Sequence, residues 1–103
     1  MKTRIETAAD VTKLEDIPNI GREIAKDLRD LGIEAPSQLA GRDPYDMYGQ
    51  LCAQTGIRHD PCVLDTFIAA VRFMEGGPKV PWYAFTAERK QTLANAAKDL
   101  SRA

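Results

Sequence analysis

The sequence predicts a small all-α domain, and three observations carry that expectation. Apolar residues recur every three or four positions, as in Ile24, Ala25, Leu28 and Leu31, the spacing that lines one face of a helix. No stretch shows the two-residue alternation of a half-buried strand. The pair Asp-Pro occurs at Asp43-Pro44 and again at Asp60-Pro61. Each reads as a helix start: the carboxylate accepts the first free amides, and Pro takes the first helical position, where its missing donor costs nothing.

The 103 residues suffice for a single domain, since a second core would leave each half too short to bury much surface. At 44% hydrophobic and 28% charged, the chain is too apolar to be wholly disordered. The longest apolar run, Phe67 to Val71, falls far short of a membrane span, and the opening MKTRIETAAD holds no apolar signal core. A cytoplasmic protein is the expectation.

Taken in order, Thr7 reads as an N-cap with Asp10 three residues on, opening a short helix to Asp16 that buries Val11 and Leu14. Pro18 cannot continue a helix and pushes Ile17 toward extended geometry, so the chain turns across Pro18-Asn19-Ile20-Gly21. A helix from about Gly21 to Leu31 follows, stopped by Gly32, which makes a first helical hairpin over about 7–32. Residues 33–42 form a connector, with one or two turns over Pro36 to Ala40 closed by Gly41. The two Asp-Pro starts open helices over about 44–55 and 61–75, ending at Gly56 and at Gly76-Gly77, a second hairpin over about 43–76. In the later helix Leu64, Phe67, Ile68, Val71 and Met74 form one stripe, widened by Val63, Ala70 and Phe73, which predicts the most buried helix of the set. Residues 77–103 hold a Gly- and Pro-rich loop with the only Trp, then a helix from about Ala87 to Arg102 capped by Thr86. Its stripe of Leu93, Ala96, Ala97 and Leu100 is thin.

Charge is distributed unevenly about a net −1. Six basic groups face eight acidic ones in residues 1–34, three face five in 35–75, and five face two in 76–103, so only the C-terminal segment is net positive. Proteins held to nucleic acid by non-specific attraction usually show a stronger basic bias. Arg89, Lys90, Lys98 and Arg102 read as a solvated helix face, and as the source of long-range attraction if nucleic acid is the ligand.

Cys52 and Cys62 flank His59 and Asp60, but neither a CxxC nor an HxxxH pair is present, so the thiols read as half-buried small apolar side chains. His59 has no Ser, Asp or Cys partner at a recognisable spacing and reads as an exposed loop residue. Cys62 at a helix N-terminus is the one conceivable nucleophile, because that position lowers a thiol's pKa. The expectation is a protein that is not an enzyme and holds no cofactor or metal.

The turn at Pro18 to Gly21 admits two readings. It folds the chain back and binds nothing, or it points the amides of Asn19 to Gly21, at the start of the next helix, outward at a phosphate, helped by the partial positive charge there. In the second case Gly21 admits a close backbone, Ile20 plugs the turn into the core, and Arg22 and Lys26 reach the phosphates.

The stretch LEDIPNIGREIAKDL, Leu14 to Leu28, resembles the helix-hairpin-helix motif, with Asn19 where the motif has its first Gly. Asn tolerates a left-handed backbone better than other side chains do. Over Leu14 to Phe85 the chain looks like the small bacterial pathogenicity-locus family, some members of which are labelled mitomycin resistance proteins. Asp60-Pro61-Cys62 and Trp82-Tyr83 would be that family's D-x-C element and aromatic pair. The front half is also similar to the C-terminal domain of TfoX-like competence regulators. These resemblances imply a duplicated helix-hairpin-helix (SAM-like) fold with an extra C-terminal helix, the turn from Gly56 to Asp60 being the degenerate copy. They imply non-catalytic, sequence-independent contact with a nucleic-acid backbone, DNA before RNA, in repair, uptake or resistance to DNA damage. The residues implicated are Pro18, Asn19, Ile20, Gly21, Arg22, Lys26 and Arg58, with His59 beside a second phosphate. The competing expectation is a protein-interaction module of the same fold, docking a partner through Trp82 and Tyr83. Trp82 and Tyr83, between Lys79 and Arg89-Lys90, also have the look of a stacking platform in a basic tail. A Trp in a Pro-rich loop more often packs over an exposed core edge and pins the last helix, and that is the expectation. Neither a membrane nor a small-molecule substrate is implied.

Overall fold

In the computed structural model, which describes residues 5–101 and their side chains as far as Ala96, the chain opens with two 3-10 turns where the sequence predicts one helix. They span Ala8–Asp10 and Leu14–Asp16. The cause is local competition for backbone amides. Asp10 accepts from the amides of Glu6 and Thr7 at 2.9 and 3.0 Å, and Asp16 accepts from the Thr12 amide at 3.1 Å and its hydroxyl at 2.8 Å. Each carboxylate therefore closes its own turn, and Val11 between them is extended.

Four α-helices follow among the described residues: α1, Arg22–Asp30; α2, Pro44–Thr55; α3, Pro61–Met74; and α4, Thr86–Ser101. No strand occurs among these residues. The first three match the predicted spans to within a residue or so. α1 buries Ala25 and Leu28 and ends as predicted at Gly32, whose φ is +87°. The amide of Ile33 then reaches back to the carbonyl of Leu28 at 2.9 Å, and Ile33 is itself buried, the hydrophobic contact that usually accompanies this helix ending. α2 and α3 start as the two Asp-Pro pairs require, with Asp43 accepting from the Tyr45 amide at 2.9 Å and Asp60 from the Cys62 amide at 2.8 Å.

α3 is the axis of the fold. Every residue from Leu64 to Val71 is buried, because α2, the 3-10 turn at Pro36–Leu39, the 3-10 turn at Trp82–Phe85 and the start of α4 all pack on it. Phe67, Val71 and Phe73 meet Leu14, Ile17, Ile20, Leu28, Ile33, Leu39 and Leu51 in one cluster. α3 ends at Gly76, with φ of +95°, and Gly77, whose amide donates to the carbonyl of Arg72 at 2.8 Å. A Cβ on Gly77 would lie 2.7 Å from that same carbonyl oxygen.

Two expectations for the last segment change. Thr86 does not cap α4: its backbone is helical, the Trp82–Phe85 turn runs straight into it, and its hydroxyl donates to Asp65 at 2.8 Å. Nor is Arg89 solvated. Its guanidinium binds the fully buried Asp65 through Nε at 2.8 Å and Nη2 at 3.3 Å. Arg72 adds a bond to Glu88 at 2.6 Å and lies over the Phe85 ring. These contacts anchor the beginning of α4 alone. From Lys90 to Ala96 every side chain is exposed, so the helix leaves the body, and the molecule measures 54 Å along an axis against 27 and 21 Å across. The expectations placed on Ala97, Lys98, Leu100 and Arg102 fall outside the described side chains. No helix among the described residues is long and apolar enough to cross a membrane.

Candidate functional site

The turn before α1 has a simple internal wiring. The amide of Ile20 donates to the carbonyl of Ile17 at 3.0 Å, closing a four-residue turn with Pro18 second and Asn19 third. Asn19 has φ of +72°, the left-handed backbone that Gly or Asn supplies at this position of a type II turn. Ile20 is 5% exposed and plugs the turn into the core, as predicted.

The expectation that the amides of Asn19, Ile20 and Gly21 all face outward needs one correction, because that of Ile20 is consumed by the turn. No partner among the described residues accepts from the amides of Asn19 or Gly21, or from those of Arg22, Glu23 and Ile24 in the first turn of α1. Gly21 is exposed, extended, and has nothing within 4 Å of where a Cβ would be. The start of α1 is thus open in both senses, donors unspent and space unfilled.

The charges around this turn are partly neutralised from within. Glu15 is paired with Arg29 at 2.9 Å, and its carboxyl is held below the ordinary range first by that hydrogen bond. Asp16 is spent on Thr12 and Lys13, and the Thr12 hydroxyl is the first cause of its lowered pKa. Arg22 is exposed, with no ion-pair partner among the described residues, whereas Lys26 bonds Asp30 at 3.3 Å while remaining 75% exposed. Glu23 is the remaining exposed carboxylate beside the turn.

Asn19 does more than fit the turn. Its side-chain amide donates to the carbonyl of Val80 at 2.9 Å, and the nearby Lys79 ammonium donates to the carbonyl of Ile5 at 2.6 Å. The Gly- and Pro-rich segment is thereby tied to the first turn at Val80, two residues before Trp82 and three before Tyr83. Trp82 is half-buried, consistent with its reading as a cover, but Tyr83 is 64% exposed, and the two rings meet edge to face with centroids 5.7 Å apart. The sequence signal for the strap is the Asn in place of Gly, a side chain able to donate where Gly has none.

The second turn is built differently. Gly56 takes the left-handed conformation, but Asp60 already occupies the start of α3. His59 is half-buried and not exposed as expected: its Nε2 lies 2.9 Å from the Thr55 hydroxyl, its amide donates to Cys52 Sγ at 3.5 Å, and the Tyr48 hydroxyl donates to its carbonyl. Burial, then the neighbouring Cys52, raises the Tyr48 pKa. The turn lies beside α1, where burial raises the Asp27 carboxyl and His59 partly offsets that rise. Arg58 is exposed and unpaired among the described residues.

Cys52 and Cys62 are both half-buried, as expected. The Cys62 thiol is raised, first by its hydrogen bond to Asp60, then by burial and by the charges of Asp60 and Asp65, the opposite of the lowering that an activated thiol needs. Among the described residues no three His, Cys, Asp or Glu side chains come together as a cation site.

An all-helical small globule with an open helix start beside a proline-asparagine turn defines the class. The chain belongs to the Cdd1 family, described as "Pathogenicity locus", which it matches over residues 7–91. It is similar to the mitomycin resistance protein McrB of Streptomyces lavendulae, with 41% identity over 93 residues that cover 90% of this chain and 89% of that one. No solved structure matches it. The family match ends at the point where α4 leaves the body of the protein.

Proposed function

We propose that this chain is a non-catalytic protein that binds nucleic-acid backbone, DNA first, without reading sequence, as a duplicated helix-hairpin-helix module serving resistance to DNA damage. One observation carries the reading. α2 and α3 each have an Asp carboxylate on their first amides, whereas α1 offers its first amides to solvent beside an unfilled Gly21 and an unpaired Arg22. A phosphate oxygen is the anion that such a site accepts, in the place where the other helices carry a carboxylate. The name of the McrB relative, which ties that protein to mitomycin resistance, supports a role alongside damaged DNA. In this reading Pro18, Asn19, Ile20 and Gly21 shape the turn, Arg22 and Lys26 supply charge, and Arg58 makes an outlying contact. His59, tied to Thr55 and Cys52, takes no part.

The test is a titration of labelled short duplex and single-stranded DNA over a range of salt. Binding of Z phosphates gives a log-log salt slope of about −0.9Z for duplex, with Z about two to four here. Gly21→Asp is the decisive variant. Its backbone suits any residue, so the new carboxylate caps α1 as Asp43 caps α2, shifting stability by only a few tenths of a kcal/mol while blocking the phosphate. Binding that survives Gly21→Asp, or a slope unmoved by Arg22→Glu with Lys26→Glu, removes this turn from the account.

The second reading, docking of a protein partner on the Trp82-Tyr83 turn, draws on the exposure of Tyr83. Capture of one partner by the full chain, unchanged by nuclease and lost in Tyr83→Ala, is the result that favours it.

A further inference from the structure

We propose that the preferred ligand is single-stranded nucleic acid, with Tyr83 as the platform on which a base stacks beside the first turn. This rests on the backbone-binding reading above and goes on to choose between strand and duplex. The argument starts from the strap. Asn19 Nδ2 holds the Val80 carbonyl at 2.9 Å. Tyr83 lies three residues further along, which span at most about 11 Å of chain. A 3-10 turn, with the Ala84 amide bonded to the Pro81 carbonyl at 3.0 Å, shortens that span. The backbone of Tyr83 therefore lies within about 11 Å of Val80, the residue that Asn19 holds beside the first turn.

Tyr83 is also held in place. Its edge-to-face partner Trp82 is half-buried, and the turn carrying both rings is packed on α3 and continues into α4, which Asp65 fixes through Thr86 and Arg89. A large ring fixed in this way yet 64% exposed is an open aromatic surface. A duplex hides the faces of its bases inside its own stack, whereas a single strand presents them to aromatic side chains. Only a strand satisfies both the turn, which takes the backbone, and the ring, which takes a base. The same geometry accounts for Asn19: Gly would make the turn equally well, but it has no side chain to bring the aromatic segment alongside.

The experiment compares oligothymidylate, an abasic strand of equal length and a duplex of equal length, by anisotropy and by quenching of the single Trp. The wild-type protein is expected to bind oligothymidylate more tightly than either of the others. Tyr83→Ala is expected to weaken oligothymidylate by at least about fivefold, the lower end of what one stacked base contributes. It should leave the abasic strand, the duplex and the salt slope unchanged, and Tyr83→Phe should keep wild-type affinity. Equal wild-type affinity for the abasic and thymidylate strands, or an unaltered Tyr83→Ala, overturns the stacking inference while salt-dependent binding keeps the backbone reading. Failure to bind all three probes overturns both, and nuclease-resistant capture of a protein through Tyr83 in that case assigns the surface to a protein partner.

Discussion

Arg89→Ala will destabilise this protein far more than an ordinary surface ion-pair mutation. Three hydrogen bonds reach the Asp65 carboxylate: Arg89 Nε at 2.8 Å, Arg89 Nη2 at 3.3 Å and the Thr86 hydroxyl at 2.8 Å. The variant deletes two of them together with the only opposite charge in contact among the described residues, and leaves a carboxylate with no exposed surface on a single hydroxyl. Removing one partner of a buried pair costs about 3–5 kcal/mol. The Arg89 side chain keeps 13% of its surface exposed, which gives water a path to the orphaned group. The lower end, about 3 kcal/mol, is therefore the expectation. That is a large share of the roughly 5–15 kcal/mol that stabilises a domain of this size. Arg72→Ala is the internal comparison, because its pair with Glu88 is 47% and 40% exposed and its loss is expected to cost at most about 1 kcal/mol. The assay is urea unfolding followed by far-UV circular dichroism. The double variant Asp65→Leu with Arg89→Met removes both charges and should return to within about 1 kcal/mol of the wild type. An Arg89→Ala cost no larger than that of Arg72→Ala, or a double variant as unstable as the single, refutes the buried pair.

Further outcomes follow from other contacts. Asn19→Ala loses both a residue suited to φ of +72° and the bond to Val80, for about 1–3 kcal/mol in the same urea assay. Asn19→Gly, which keeps the backbone, should cost no more than about 1 kcal/mol. Gly77→Ala drives a Cβ to 2.7 Å from the Arg72 carbonyl and should lower the melting temperature, where Gly49→Ala, in open helix surface, should not. The carboxyls of Asp10, Glu15, Asp16 and Asp60 are all lowered in the folded state. Their stabilisation is complete above about pH 5 and is lost as pH falls through the lowered values. Asp27, raised by burial, works in the opposite sense. Urea midpoints measured into the acid range should fall in the wild type and fall less steeply in Asp16→Ala.

The helices with strong punctuation were readable in advance. α2 and α3 begin and end where Asp-Pro and Gly place them, because capping is a contact between neighbours in sequence. The lead-in reads as one helix but forms two turns, because Asp10 and Asp16 each take the backbone amides three and four residues before them. What escaped the sequence was every long-range polar contact. Asp65 within an otherwise apolar run is a signal that a counter-charge must exist, but nothing in periodicity says that Arg89 is its partner. At the candidate site, the buried Ile20 and the open Gly21 were legible from the motif, whereas the bond from Asn19 to a carbonyl 61 positions away was not.

That same fastening sets an order of events during synthesis. Val80 leaves the ribosome 61 residues after Asn19, and Lys79 follows Ile5 by 74. At about 5–20 residues per second, the 61-residue gap is a wait of roughly 3–12 s. The emerging N-terminal portion spends that interval with its loop unsecured, and the final latch closes only when the proline-rich stretch is out. A nascent chain halted before that stretch carries the first loop without its fastener.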